Sequence, residues 1–189
     1  NRIKIFCNAA ESGIVPEIYP GSLQVTMHKT GEFVQYDLTG YADTLSIRIS
    51  QSDSTGKPFQ LYGISLENDD PGVVYTAIGV NGAKLESYLR CGLFVQQMKT
   101  LDPDWVIVSI GTNEGNTRQF DPEAYRSDYL KLLDSIKLAA PHTAILLTVP
   151  NDSYLFKRYM NPNTALIRKV IYEIARSYHC GVWDFYSIM

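Results

Sequence analysis

Two rhythms of apolar and polar positions divide the chain. Up to about residue 66 the two kinds alternate: Ile3, Ile5 and Cys7 with Arg2 and Lys4, Leu23, Val25 and Met27 with Gln24 and Thr26, and Leu45, Ile47 and Ile49 with Ser46, Arg48 and Ser50. Successive side chains of an extended chain point to opposite faces, so the pattern predicts half-buried antiparallel strands and no helix. Gly21, Gly31, Gly40 and Gly56 fall between the runs at turn positions. Ser52, Asp53 and Ser54 read as a hairpin turn between the runs at residues 45–50 and 59–66. The region resembles part of an antiparallel β-sandwich with few strands for a closed one.

The rhythm changes after residues 67–72 (ENDDPG), a turn-forming segment that marks a boundary between an antiparallel region, 1–67, and an α/β domain, 68–189. Residues 73–78 are apolar and β-branched and predict a buried strand, followed by Gly79, Val80, Asn81, Gly82 and Ala83 and then helical sequence to about Thr100. Residues 105–110 form a second such run, the pattern of a strand covered on both faces. Asp121 as N-cap and Pro122 at the first helical position open a helix whose Tyr125, Tyr129, Leu132, Leu133 and Ile136 share a face. Residues 144–149 predict a third strand, and Asn161 with Pro162 a second capped helix with Leu166, Ile167, Val170, Ile171, Ile174 and Tyr178 as its stripe. Val182, Trp183 and Asp184 begin a fourth strand. Alternating strands and helices imply a parallel sheet between helical layers, a three-layer α/β/α domain.

Composition narrows the function. A formal charge of −3 without a Lys/Arg cluster argues against a nucleic-acid partner, and no apolar run nears the ~20 residues that span a bilayer. Residues 1–7 lack the basic start and apolar stretch of a signal peptide, although a processed or truncated chain would look the same. Cys7, Cys91 and Cys180 are odd in number and far apart, and His28, His142 and His179 are equally scattered, so neither a disulfide framework, a metal site nor a cofactor site is expected. No glycine-rich phosphate loop follows any strand, which disfavours a nucleotide-binding domain.

The second run breaks at once into Gly111, Thr112, Asn113, Glu114, Gly115 and Asn116. Small hydrogen-bonding residues at the carboxyl end of a buried parallel strand occupy the edge where open α/β sheets bind ligands. Gly111-Thr112-Asn113, with Gly79-Val80-Asn81-Gly82 about thirty residues earlier, resembles the SGNH (GDSL-type) esterase superfamily, whose domain is flavodoxin-like, over roughly residues 73–184. That family uses four blocks: a nucleophilic Ser in Gly-Asp-Ser, a Gly, an Asn in Gly-x-Asn and a His in Asp-x-x-His. The resemblance assigns the Gly82 backbone N–H and the Asn113 side-chain amide to an oxyanion hole, donors aimed at the charge of a tetrahedral intermediate. Asn81, Glu114, Asp152 and Ser153 are candidate substrate-binding residues, Glu114 standing where the family usually has Asp.

The other two blocks are missing. A serine nucleophile needs a base within hydrogen-bonding reach, yet neither Gly-Asp-Ser nor Asp-x-x-His occurs. Ser54 would need a helix after it and has a strand. Asn151-Asp152-Ser153 lies past the third strand and also reads as a loop or helix cap. His179 and His142 fall at the edge opposite Asn113, and Asp184 has no His three residues on.

The order of parts resembles a subgroup in which a β-sandwich, like a carbohydrate-binding module, is inserted between the nucleophile and Gly blocks. The resemblance implies a fragment of a carbohydrate or cell-wall glycan O-acyl esterase, inactive by itself, with the Ser before Asn1 and the His after Met189. A periplasmic, cell-envelope or secreted location follows by the same analogy. The alternative is a non-catalytic carbohydrate-binding or scaffold protein, for which Tyr19, Tyr36, Tyr41 and Tyr62 would be the stacking candidates among thirteen tyrosines.

Overall fold

In a computed structural model, which describes residues 1–19, 21–31, 33–51, 56–155 and 157–188, the contacts divide the chain into two compact units, Asn1–Ala77 and Ile78–Met189. The predicted turn at Ser52, Asp53 and Ser54 lies outside the described residues.

The first unit holds β1 (Arg2–Cys7), α1 (Ala9–Ser12), β2 (Glu17–Tyr19), β3 (Val25–Lys29), β4 (Phe33–Leu38), β5 (Ser46–Arg48) and β6 (Leu61–Glu67). Every ladder is antiparallel: one sheet runs β3-β4-β1-β6, and β2 pairs with β5. The register sets Ile3 opposite Tyr36 and Ile5 opposite Val34. Residues opposite one another share a face, so the alternation in sequence becomes one apolar surface, against which Ile18 and Ile47 of the smaller sheet pack.

The helix α1 was not expected. It is a single turn at the end of β1, where the Asn8 side chain accepts from the Gln60 N–H (2.7 Å) and donates to the Pro58 carbonyl (3.0 Å), and it ends at Gly13 with φ +72°. One turn is too short for a periodicity to reveal.

The second unit holds α2 (Leu85–Leu89), α3 (Phe94–Leu101), β7 (Trp105–Val108), α4 (Thr112–Gly115), α5 (Pro122–Ala139), β8 (Ala144–Val149), β9 (Tyr154–Leu155), β10 (Tyr159–Met160), α6 (Pro162–Tyr178), β11 (Gly181–Asp184) and α7 (Phe185–Ile188). β7, β8 and β11 form a parallel sheet in the order β11-β8-β7, with Val106 opposite Ile145 and Leu147 opposite Val182. Both long helices start where their caps predict. The Asp121 carboxylate accepts from the N–H of Glu123 (2.9 Å) and Ala124 (3.2 Å), and Asn161 Oδ1 accepts from the Asn163 N–H (3.1 Å). Their apolar stripes, among them Tyr129, Leu133, Ile171 and Ile174, form one core with Val108, Ile145, Leu147 and Val149.

Three local expectations need correction. Residues 73–78 form no strand: they carry no ladder, and Val73 and Tyr75 are 95% and 83% exposed. An apolar β-branched run becomes a strand only where a neighbour pairs with it. The helix expected to continue to Thr100 is two helices, α2 and α3, because Arg90 closes the first and Gly92 and Leu93 form a turn, with the Phe94 N–H donating to the Cys91 carbonyl (3.0 Å), before the second begins. The run at 105–110 is covered on one face only. Val106 and Val108 join the core, whereas Trp105 and Ile107 stand on the other face, 61% and 55% exposed.

Candidate active site

The chain leaves β7 through Ser109 and Ile110 and turns at Gly111, whose φ of +138° suits glycine alone. A Cβ there would also lie 2.9 Å from Pro150 Cγ and 3.0 Å from the Tyr125 hydroxyl oxygen. The Gly115 N–H donates back to the Gly111 carbonyl (2.8 Å), closing the single turn of α4 that carries Asn113. From α5, the Tyr125 hydroxyl donates to the Ile110 carbonyl (3.1 Å) and the Tyr129 hydroxyl to the Val108 carbonyl (3.4 Å). Burial pushes both phenols well above their ordinary value, with the neighbouring Glu114 charge adding to it, so they stay neutral donors.

Three contacts tie this loop to the segment after Gly82. Asn113 Nδ2 donates to the Ala83 carbonyl (2.7 Å). The Leu85 N–H, at the first turn of α2, donates to Glu114 Oε1 (2.7 Å). Lys84 Nζ donates to Thr117 Oγ1 (3.1 Å). Gly82 adopts φ +78°, and nothing lies within 4 Å of a Cβ built on it, so backbone conformation, not crowding, calls for glycine there. Thus Gly82 adjoins the residue on which the Asn113 amide rests, with Asn81 and Gly82 exposed, Asn113 half-buried and Glu114 buried. Glu114 Oε2 has no partner among the described residues.

The other end of the loop is held by side chains that the sequence reading treated only as a helix start. Asn161 Nδ2 donates to the Gly115 carbonyl (2.9 Å), and Asn163 Nδ2 donates to the carbonyls of Gly115 (2.9 Å) and Thr117 (3.2 Å). The Asn-Pro-Asn spelling of the cap was the available signal. Its reach of some forty-six residues back along the chain could not be read from it.

Ser153 belongs to the same network. Its Oγ accepts from Asn161 Nδ2 (3.2 Å) and lies 3.3 Å from Thr164 Oγ1, while its carbonyl accepts from the Asn161 N–H (2.7 Å). Asp152 beside it is half-buried, its carbonyl taking the Asn151 side-chain amide (3.0 Å). A cleft of about 410 Å³ opens at the carboxyl edge of β7 and β8 between Ser109, Thr112, Thr148, Pro150, Asn151 and Phe185. At its floor Thr148 Oγ1 donates to Ser109 Oγ (2.9 Å).

The remaining candidates lie elsewhere. His179 closes α6 in the left-handed conformation, φ +54°, and His142 Nε2 faces Asp102 at 3.7 Å before β8. Asp184 is tied to Arg168 Nε (2.7 Å), the Tyr172 hydroxyl (3.1 Å) and the Ser187 hydroxyl (2.7 Å). Burial raises its carboxyl, but the hydrogen bonds from Ser187, Arg168 and Tyr172 outweigh it and hold the group below the ordinary carboxylate range. Tyr36 is a core residue whose hydroxyl donates to the Pro16 carbonyl, whereas Tyr19, Tyr41 and Tyr62 are exposed. Among the described residues no group of His, Cys, Asp and Glu could hold a metal ion.

A solved structure described as a peptidoglycan O-acetylesterase superposes with a TM-score of 0.81 at 20% identity, over 100% of this chain and 52% of that one. The chain therefore shares that fold and spans about half the length of that structure. An acetyl xylan esterase matches with a TM-score of 0.47 at 18% identity, over 58% of this chain and 57% of that one. A GDSL-like lipase from Bacteroides thetaiotaomicron VPI-5482 matches with a TM-score of 0.43 at 16% identity, over 57% and 54%. No curated protein sequence matches the chain. The sequence profile of the GDSL-like lipase/acylhydrolase family matches residues 40–189, a span that contains both the Gly82 and Asn113 loops, and the chain belongs to that family.

Proposed function

We propose that residues 1–189 carry the oxyanion-binding part of a serine ester hydrolase that removes O-acyl, chiefly O-acetyl, groups from a carbohydrate or cell-wall glycan. The nucleophilic Ser and the base His come from polypeptide outside these residues, and the 189-residue chain is inactive alone. The observation that carries the reading is the Asn113 amide seated on the Ala83 carbonyl, next to a glycine held open at Gly82. One amide hydrogen of Asn113 is used in that bond. The second is available, and with the Gly82 N–H it makes two donors of the kind that stabilise a tetrahedral oxyanion.

The inactivity of the isolated chain has its own support. Among the described residues Ser153 bonds to Asn161 and Thr164, while His28 and His142 face Asp37 and Asp102, so no Ser–His pair among them has the form of an activated nucleophile. The glycan substrate rests on the family and on the esterase described for the structure that shares the fold. We place the whole protein in the cell envelope or outside the cell on the same ground, with the antiparallel region, taken as residues 1–67, as a carbohydrate-binding part in addition to the catalytic domain.

A fluorophosphonate probe tests the reading. The 189-residue chain should remain unlabelled, and the polypeptide carrying its native flanking sequence should be labelled once and should hydrolyse an aryl acetate and an O-acetylated glycan. Labelling of the 189-residue chain at Ser54 or Ser153 would sink it.

A further inference from the structure

The cleft at the carboxyl edge of β7 and β8 carries polar groups that the fold itself leaves unused. Thr148 is buried and its Oγ1 donates to Ser109 Oγ (2.9 Å), so the hydrogen of the exposed Ser109 hydroxyl is left to donate to something else. Thr112 Oγ1 and Asn151 Oδ1 have no partner among the described residues, while the Asn151 amide nitrogen is held on the Asp152 carbonyl (3.0 Å). Ile110, Pro150 and Phe185 supply the apolar part of the lining. Phe185 is fixed in place by Trp183, on which it stacks with ring centroids 5.4 Å apart and 17° between the planes. Among the described residues no charged side chain lines the cleft. Asp184, next to Phe185 in sequence, gives its carboxylate to Arg168, Tyr172 and Ser187 instead. The volume of about 410 Å³ lies in the range of small-molecule sites.

We propose that this cleft is a subsite for one uncharged sugar ring of the glycan. Phe185 packs against the C–H side of the ring, and Ser109, Thr112 and Asn151 hydrogen-bond its hydroxyls. The proposal rests on the proposed function for the presence of a glycan, and adds where a sugar sits and which sugars are accepted. Other occupants fit the lining less well. A long acyl chain would cover the hydroxyls of Ser109 and Thr112 and the Asn151 carbonyl oxygen without pairing them, which opposes binding. A phosphate or a sugar carrying a carboxylate meets no cation there. An acetyl group by itself fills little of the volume, and its place is at Asn113, the residue after Thr112. A pyranose ring has both an apolar side and a rim of hydroxyls, which matches a lining that is part aromatic and part neutral polar.

Trp183 backs Phe185, so its fluorescence reads occupancy of the cleft, and Trp105→Phe removes the signal of the other tryptophan in the chain. The 189-residue chain and the polypeptide with its native flanks are each titrated with chitotriose, xylotriose and trigalacturonate. At least one of the two uncharged trisaccharides should change Trp183 emission saturably, and trigalacturonate should produce no saturable change. Thr112→Val and Ser109→Ala, which remove a hydroxyl and little volume, should weaken binding severalfold. In the unsubstituted chain the same sugar should shift the Asn151 side-chain amide resonance, a readout that relies on no variant, and Phe185→Ala should abolish that shift. Absence of a saturable change with both uncharged sugars in both lengths overturns the proposal. So does binding that Thr112→Val, Ser109→Ala and Phe185→Ala leave undiminished, since the sugar then sits elsewhere, and so does equally tight binding of trigalacturonate. A longer polypeptide that hydrolyses an aryl acetate but binds no uncharged sugar keeps the esterase and removes the subsite. One that binds the sugar at the cleft and hydrolyses no ester keeps the subsite and removes the proposed reaction.

Discussion

Asn113 and Glu114 are neighbours in sequence and do different work. Asn113 reaches out of α4 to the Ala83 carbonyl, and under the function proposed above its second amide hydrogen serves the oxyanion. Asn113→Ala should lower kcat for an aryl acetate by about 10²–10³-fold with little change in KM, because an oxyanion donor acts mainly in the transition state. Glu114 points inward and accepts the Leu85 N–H with one oxygen. Glu114→Leu leaves that buried donor unpaired, which should destabilise the second unit by about 1–3 kcal/mol, read as a drop in the denaturation midpoint at constant slope. Glu114→Gln keeps an acceptor oxygen and should cost less. The sequence marked both residues as belonging to one site. That the carboxylate joins two loops follows only from where Leu85 comes to lie.

Asp184 supplies a pH test at the same scale. Its carboxyl is held below its ordinary value, so the folded state releases the proton more readily than the unfolded chain. The stability it contributes is present above the unfolded carboxylate value of about 3.9 and is lost as pH falls through the lower folded one. The stability difference between the native chain and Asp184→Asn, measured by urea denaturation, should therefore be constant from pH 7 to 5 and shrink below about pH 4.

At the scale of elements, local chemistry and pairing separate cleanly. The α5 start was legible because an N-cap acts within three residues: Asp121 accepts from Glu123 and Ala124, and Asp121→Ala should cost about 1 kcal/mol in thermal or chemical denaturation. Gly111→Ala meets two obstacles together, a φ of +138° and a Cβ position 2.9 Å from Pro150. It should destabilise by more than the ~1 kcal/mol of an ordinary glycine replacement and should displace the Asn113 loop, a change that the Asn113 side-chain amide resonances would show. Residues 73–78 mark the opposite case. Their β-branched composition was that of a strand, yet a ladder is made with a partner, and none pairs with them among the described residues. Likewise the apolar run that opens at 105–108 announced two coverable faces, but not that Trp105 and Ile107 would lie open.

At the scale of the whole molecule, no group of His, Cys, Asp and Glu among the described residues could hold a metal ion, so chelation by EDTA should leave the melting temperature of the 189-residue chain unchanged. No described helix is long and apolar enough to cross a membrane. What the sequence determined by itself is whatever depends on neighbours in the chain: period-two strands before residue 66, capped helices after Asp121 and Asn161, and the glycine-flanked Asn113 loop that names the family. Tertiary structure alone decided which carbonyl Asn113 would rest on, that Asn161 and Asn163 would reach back to Gly115 and Thr117, and which face of the sheet would be left open. The reason is range: caps and turns are set by bonds across a few residues, whereas these contacts join segments thirty to forty-eight residues apart, whose meeting depends on how the whole sheet and its helices pack.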